Sequence, residues 1–162
     1  MNIEVEAALW GAGAGAIMSV AATIIASIVL EPLKQRISEY NEVVKLLNLK
    51  FHDVDDLLSE YWQSDVVDAG LQFRCARKKT EIYATLEEIN RLQNGHVDFT
   101  IAVQKFTDYF DLLMGGRFGS VNHTADLVAI DASGPYVQDC LNIIDAMKYK
   151  IRSWYIFSNR IR

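Results

Sequence analysis

The run MGGRFGSVNHTAD, residues 114–126, gathers the residue types that hold an anion. Gly115, Gly116 and Gly119 let a backbone turn tightly and approach a ligand closely, and Arg117 supplies a planar fork of donors. Ser120, Asn122, His123 and Thr124 add further polar groups. A helix beginning near Thr124 would aim its first N–H groups at the loop, so the chemistry expected here is phosphate binding. The plainer account is a helix-ending Gly-Gly followed by a polar connection.

A second basic group is Arg74, Arg77, Lys78 and Lys79. On a helix Arg74 and Lys78 lie one turn apart with Arg77 beside them, which makes either a phosphate contact surface or a solvated face. The last sixteen residues, MKYKIRSWYIFSNRIR, hold five basic residues and no acidic one, interleaved with Trp154, Tyr155 and Phe157. That pattern suits aromatic packing into a core, or a terminus facing anionic lipid headgroups.

Catalytic and metal chemistry have little to stand on. His52, Asp55 and Asp56 in FHDVDD share a helix face at a spacing that can hold a metal, but an acidic turn at a helix start explains them as well. The chain has no HExxH, no GxSxG, no Walker lysine after a glycine loop and no CxxC. Its three histidines, His52, His96 and His123, fall in three different predicted junctions. The expectation is a protein that is not an enzyme, with no metal and no cofactor. Cys75 and Cys140 are far apart in sequence and suit a reducing compartment.

What would position these residues begins with a stretch of different character. Ala7 to Leu30 is 24 uncharged residues, about 36 Å of helix against a hydrocarbon core of about 30 Å. The preceding flank is acidic, with Glu4 and Glu6, unlike a signal peptide. This predicts a transmembrane helix within residues 1–32, with Trp10 near one end. Lys34 and Arg36 follow the other end, and no Lys or Arg occurs before them. The expected topology is therefore single-pass in the cell (inner) membrane, N-terminus outside and residues 33–162 in the cytoplasm. Gly11, Gly15, Ser19, Thr23 and Ser27 recur every four residues along one stripe, the pattern that lets membrane helices pack closely, so a homo-oligomer is expected.

Residues 33–162 read as helices. Pro32 fits a first helical position, and Leu33, Ile37, Tyr40, Val44, Leu47 and Phe51 follow helical spacing. A pause is predicted at His52–Asp53, with Asp53 as N-cap, before Val54, Leu57, Leu58 and Tyr61. The next helix is predicted from Ser64 or Asp65 to Asn94-Gly95, with Leu71, Cys75, Ile82, Leu86, Ile89 and Leu92 inward. Asp98 would open a third, with Ile101, Phe106, Tyr109, Phe110 and Leu113 inward and Gly115-Gly116 closing it. A short helix is expected over 123–132, then a long one starting at Pro135 with Val137, Cys140, Ile144, Met147, Ile151 and Trp154 on one face. No stretch alternates with period two. The fold class expected is all-α: one N-terminal transmembrane helix followed by a cytoplasmic antiparallel helical bundle.

The chain carries 16 basic and 21 acidic residues, three of the latter in residues 1–32, so residues 33–162 hold 16 against 18, a net of −2. That excludes a strongly basic module for duplex nucleic acid. Two functions fit. One is an oligomeric membrane effector whose cytoplasmic bundle binds a small anionic signal through Arg74, Arg77, Lys78, Lys79, Arg117, Ser120, Asn122 and His123. In layout, with an apolar helix at 7–30 and a compact helical part at 33–162, the chain resembles the small membrane effectors of bacterial antiphage defence, of the type III CRISPR accessory kind. That resemblance implies a cyclic oligoadenylate ligand, symmetric assembly and action on the lipid bilayer. The other is a membrane-tethered scaffold binding a protein partner, with no small ligand.

Overall fold

The computed structural model describes residues 19–20, 23–24, 27–28, 31–93, 99–120 and 123–158, with side chains omitted at 33 and 149–158. All regular structure among the described residues is helical: α1 (Glu31–Gln63), α2 (Ala69–Gln93), α3 (Phe99–Met114) and α4 (Leu127–Ser158). The chain divides into two compact units, residues 1–39 and 40–162. The core lies in the second.

Contacts between helices set the topology of that second unit. Lys50 on α1 reaches Thr85 on α2 at 2.9 Å, Asp53 reaches Lys78 at 2.8 Å, and Tyr61 reaches Gln72 at 3.4 Å, so α1 and α2 run antiparallel in one register. Tyr83 and Thr107 join α2 to α3 at 2.8 Å, and Lys105 and Asp139 join α3 to α4 at 2.6 Å. Phe51 stacks edge-on against Phe106 and Tyr109, and Trp62 Nε1 donates to the Leu113 carbonyl at 3.0 Å, so α1 and α3 run parallel across the core. The result is an up-down-up-down four-helix bundle.

The apolar periodicity forms its core. Tyr40, Val44, Leu47, Phe51, Val54, Leu58 and Tyr61 from α1 are buried, as are Leu71, Cys75, Ile82, Leu86 and Ile89 from α2. Phe106, Tyr109, Phe110 and Leu113 from α3 meet Cys140, Ile144 and Met147 from α4. Each large side chain contributes about 1.5–3 kcal/mol on leaving water. At one end a polar pair closes the core: the Gln93 amide donates to the Tyr40 hydroxyl, which donates to the Met147 carbonyl at 3.2 Å. Burial pushes the Tyr40 phenol well above the ordinary tyrosine range.

Several boundaries differ from the sequence expectations. α1 does not pause at His52–Asp53; its core stripe continues through Val54 and Leu58, and Asp53 is an ion-pair partner of Lys78 rather than a cap. α2 starts at Ala69, not Ser64 or Asp65, because Asp68 Oδ1 accepts from the N–H groups of Gly70 at 2.8 Å and Leu71 at 3.1 Å. The predicted end at Asn94-Gly95 and start at Asp98 lie outside the described residues. Ile101 is 52 % exposed, and Ala102 takes the inward position. The short helix and the Pro135 start are replaced by one helix from Leu127 with Pro135 inside it. Pro135 and Asp131 are both exposed, so the carbonyl that loses its partner at Pro135 faces water and the helix runs on.

The predicted membrane segment lies mainly outside the described residues. Among the described residues no helix is long and apolar enough to cross a membrane. Gly11 and Gly15 are not described. Thr23 Oγ1 donates to the Ser19 carbonyl at 2.8 Å and Ser27 Oγ to the Thr23 carbonyl at 2.9 Å, so these two hydroxyl protons are spent within their own segment. Ile151, Trp154 and the other aromatic side chains of the C-terminal run are likewise outside the description.

Candidate functional site

The glycine loop follows α3 directly. Gly116 and Gly119 have positive φ, 57° and 79°, the conformation that made glycine the expected residue there. The Gly119 N–H donates to the Tyr61 hydroxyl at 2.9 Å and the Phe118 ring packs on Tyr61 at 4.6 Å, which pins the loop to the end of α1. A Phe118 N–H to Gly115 carbonyl bond of 3.2 Å and a Ser120 N–H to Arg117 carbonyl bond of 3.0 Å close two successive turns.

The seat expected for a phosphate is filled by the chain itself. α4 begins at Leu127 rather than near Thr124, and its N-cap is Asp126, whose Oδ1 accepts from the Ala129 N–H at 3.1 Å. Arg117 pairs with the other oxygen of the same carboxylate. The neighbouring Ala125 N–H donates to Asp65 Oδ1 at 3.2 Å. Two carboxylates therefore occupy the donors that the loop was expected to offer a ligand.

His123, expected among the loop's ligand-binding residues, is buried. It is 6 % exposed, its ring stacks on Tyr61 at 4.3 Å and Trp62 at 5.4 Å, and Nε2 meets the Tyr61 carbonyl at 3.0 Å. Nε2 must carry a proton to donate to that carbonyl, and buried Nδ1 has no hydrogen-bond partner among the described residues. Ser120 stays at the loop surface, half-buried, and Asn122 lies outside the described residues.

The second basic group sits on a separate surface, an open groove of about 660 Å3 between α1 and α2. Asp53, Asp56, Leu57 and Glu60 line one side; Arg74, Arg77, Lys78 and Glu81 line the other. Arg77 pairs with Glu81 at 3.0 Å, and Lys78 bridges Asp53 at 2.8 Å and Glu81 at 3.9 Å. Lys79 turns away and lies over the Phe110 ring at 5.2 Å. Arg74, Asp56 and Glu60 make no ion pair among the described residues. Four carboxylates against three cations make this a mixed-charge surface. Behind it, burial pushes the Cys75 thiol up to about 11, with Arg74 pulling it down and Glu60 pushing it up by smaller amounts.

The three parts of FHDVDD do not converge. His52 and Asp56 are exposed, whereas Asp55 turns inward to accept the Tyr109 hydroxyl at 2.7 Å. No group of three metal-ligating side chains comes together among the described residues. Sequence reasoning missed the caps Asp126 and Asp68, for which an acidic residue just before a helical run was the available signal, and read Asp65 only as a possible helix start. No family model, curated protein or solved structure matches the chain.

Proposed function

We propose that the chain is a membrane-tethered helical scaffold. Residues 7–30 span the cell membrane once with the N-terminus outside, and the four-helix unit in the cytoplasm binds protein rather than a small anion. Asp126 carries this reading: its carboxylate is held by both Arg117 and the first turn of α4, so a phosphate arriving there meets a negative charge already in place. Arg77 and Lys78 are compensated in the same way by Asp53 and Glu81. A cyclic-oligonucleotide effector would have to break these pairs before gaining any of its own. Apolar side chains instead face water at the same end of the bundle: Val66 and Val67 before α2, and Leu127 and Val128 at the start of α4. The Asp126 N–H to Trp62 carbonyl bond of 2.8 Å ties these two segments together. Such a patch suits a protein contact.

Two measurements on the full chain test the proposal. Asn2→Cys is expected to label from outside intact cells while Ser158→Cys stays protected; the reverse pattern overturns the topology. Titration of the detergent-solubilised protein with cyclic tetra- and hexa-adenylate is expected to leave its melting temperature unchanged. A saturable rise lost in Arg117→Ala would reinstate the signal-binding effector.

A further inference from the structure

The outer face of the α1/α2 pair carries two seams with the alternating three-four spacing of a coiled coil, and neither contributes a residue to the buried core. On α1 the seam is Leu46, Leu49, Asp53, Asp56 and Glu60; on α2 it is Arg74, Arg77, Glu81 and Ala84. Leu46 is 44 % and Leu49 53 % exposed, and Ala84 is exposed beside them. The bonded pairs between the helices fix the levels: Glu60 lies level with Arg74, Asp56 with Arg77, Asp53 with Glu81, and Leu49 with Ala84.

We propose that this face binds a second copy of the chain about a two-fold axis parallel to the helices. That operation exchanges left and right but keeps height, so α1 of each copy lies over α2 of the other. Arg74, without an ion pair among the described residues, then meets Glu60 of the partner subunit, and Arg77 meets Asp56 of the partner subunit. Leu46 and Leu49 cover the alanine level. The one like-charged level, Asp53 against Glu81, is bridged in each chain by Lys78. An axis running across the helices would instead set α1 on α1 and place Asp53, Asp56 and Glu60 against like charge or against Leu46 and Leu49, so charge selects the parallel axis. The pairing uses residues 46–84 alone and stands whether or not residues 7–30 enter a bilayer.

The test mixes two full-length variants, Leu49→Cys and Ala84→Cys, under mild oxidation; the native Cys75 and Cys140 are buried. A mixed disulfide well above that of Leu49→Cys with Asn142→Cys, an exposed position on α4, is the expected result. Adding Glu60→Arg to both chains should lower its yield about tenfold, and adding Arg74→Glu as well should restore it. Helix content by circular dichroism identifies any variant that fails to fold, and the unswapped pair then decides alone. A yield equal to the control overturns self-pairing and leaves the face to a different protein. So does loss without restoration in variants that keep their helix content.

Discussion

The Tyr109 hydroxyl on α3 donates to the Asp55 carboxylate on α1 at 2.7 Å, across the interior of the bundle. Burial, the Asp55 charge and this bond together hold the phenol protonated far above the ordinary tyrosine range. Tyr109→Phe should lower the unfolding free energy by about 1–2 kcal/mol, and Asp55→Ala by about 1–3 kcal/mol because it orphans a buried hydroxyl. The double variant should lose less than the sum of the two. Urea denaturation of all three checks this; strict additivity would mean that the bond contributes nothing.

His123→Ala tests whether that residue belongs to the core or to a ligand. Removing a ring stacked on Tyr61 and Trp62 should cost about 2–4 kcal/mol, read as a clear fall in melting temperature with no ligand present. An unchanged melting temperature would return His123 to the loop.

Gly119→Ala should cost about 1 kcal/mol, because φ is 79° and an alanine there is strained with or without room for its methyl group. Gly134→Ala, in a helix with nothing near the added carbon beyond its chain neighbours, should be nearly neutral, because the gain in helix propensity is offset by crowding against the Pro135 ring. Paired thermal melts read the difference.

The thiols predict an alkaline limit. Burial raises Cys75 to about 11 and Cys140 to about 12, above an unfolded value near 9. The unfolded chain therefore releases these protons first, and the thiols' share of stability, intact below pH 9, is lost as pH rises through 11 and 12. Stability should fall more steeply above pH 9 in the native protein than in Cys75→Ala/Cys140→Ala. Equal slopes would remove the thiols from the account. Both should also resist alkylation at pH 8, since both are buried and protonated there.

The bundle was largely legible in the order of residues. Apolar side chains at steps of three and four named almost every buried position of α1 and α2, because a helix in a single-core bundle hides one stripe and no more. Boundaries were less legible. Ser64, Asp65 and Asp68 are all acceptable caps, and only the packing of Leu71 against the core selects the last. Pro135 reads as a helix start because a proline lacks an N–H, yet its place on the exposed face lets one helix pass through it.

The site divides along the same line. Composition alone showed that residues 33–162 are mildly acidic, so any anion site had to be local, and the glycines of the loop told where the backbone turns left-handed. Only tertiary structure decided which charges meet. Arg117 and Asp126 are nine residues apart, Lys78 and Asp53 twenty-five, and Asp65 and Ala125 sixty. A list of cations looks like a phosphate site until folding brings carboxylates to Arg77, Lys78 and Arg117. Coulomb attraction acts over a few ångströms, and sequence separation says little about which groups come that close.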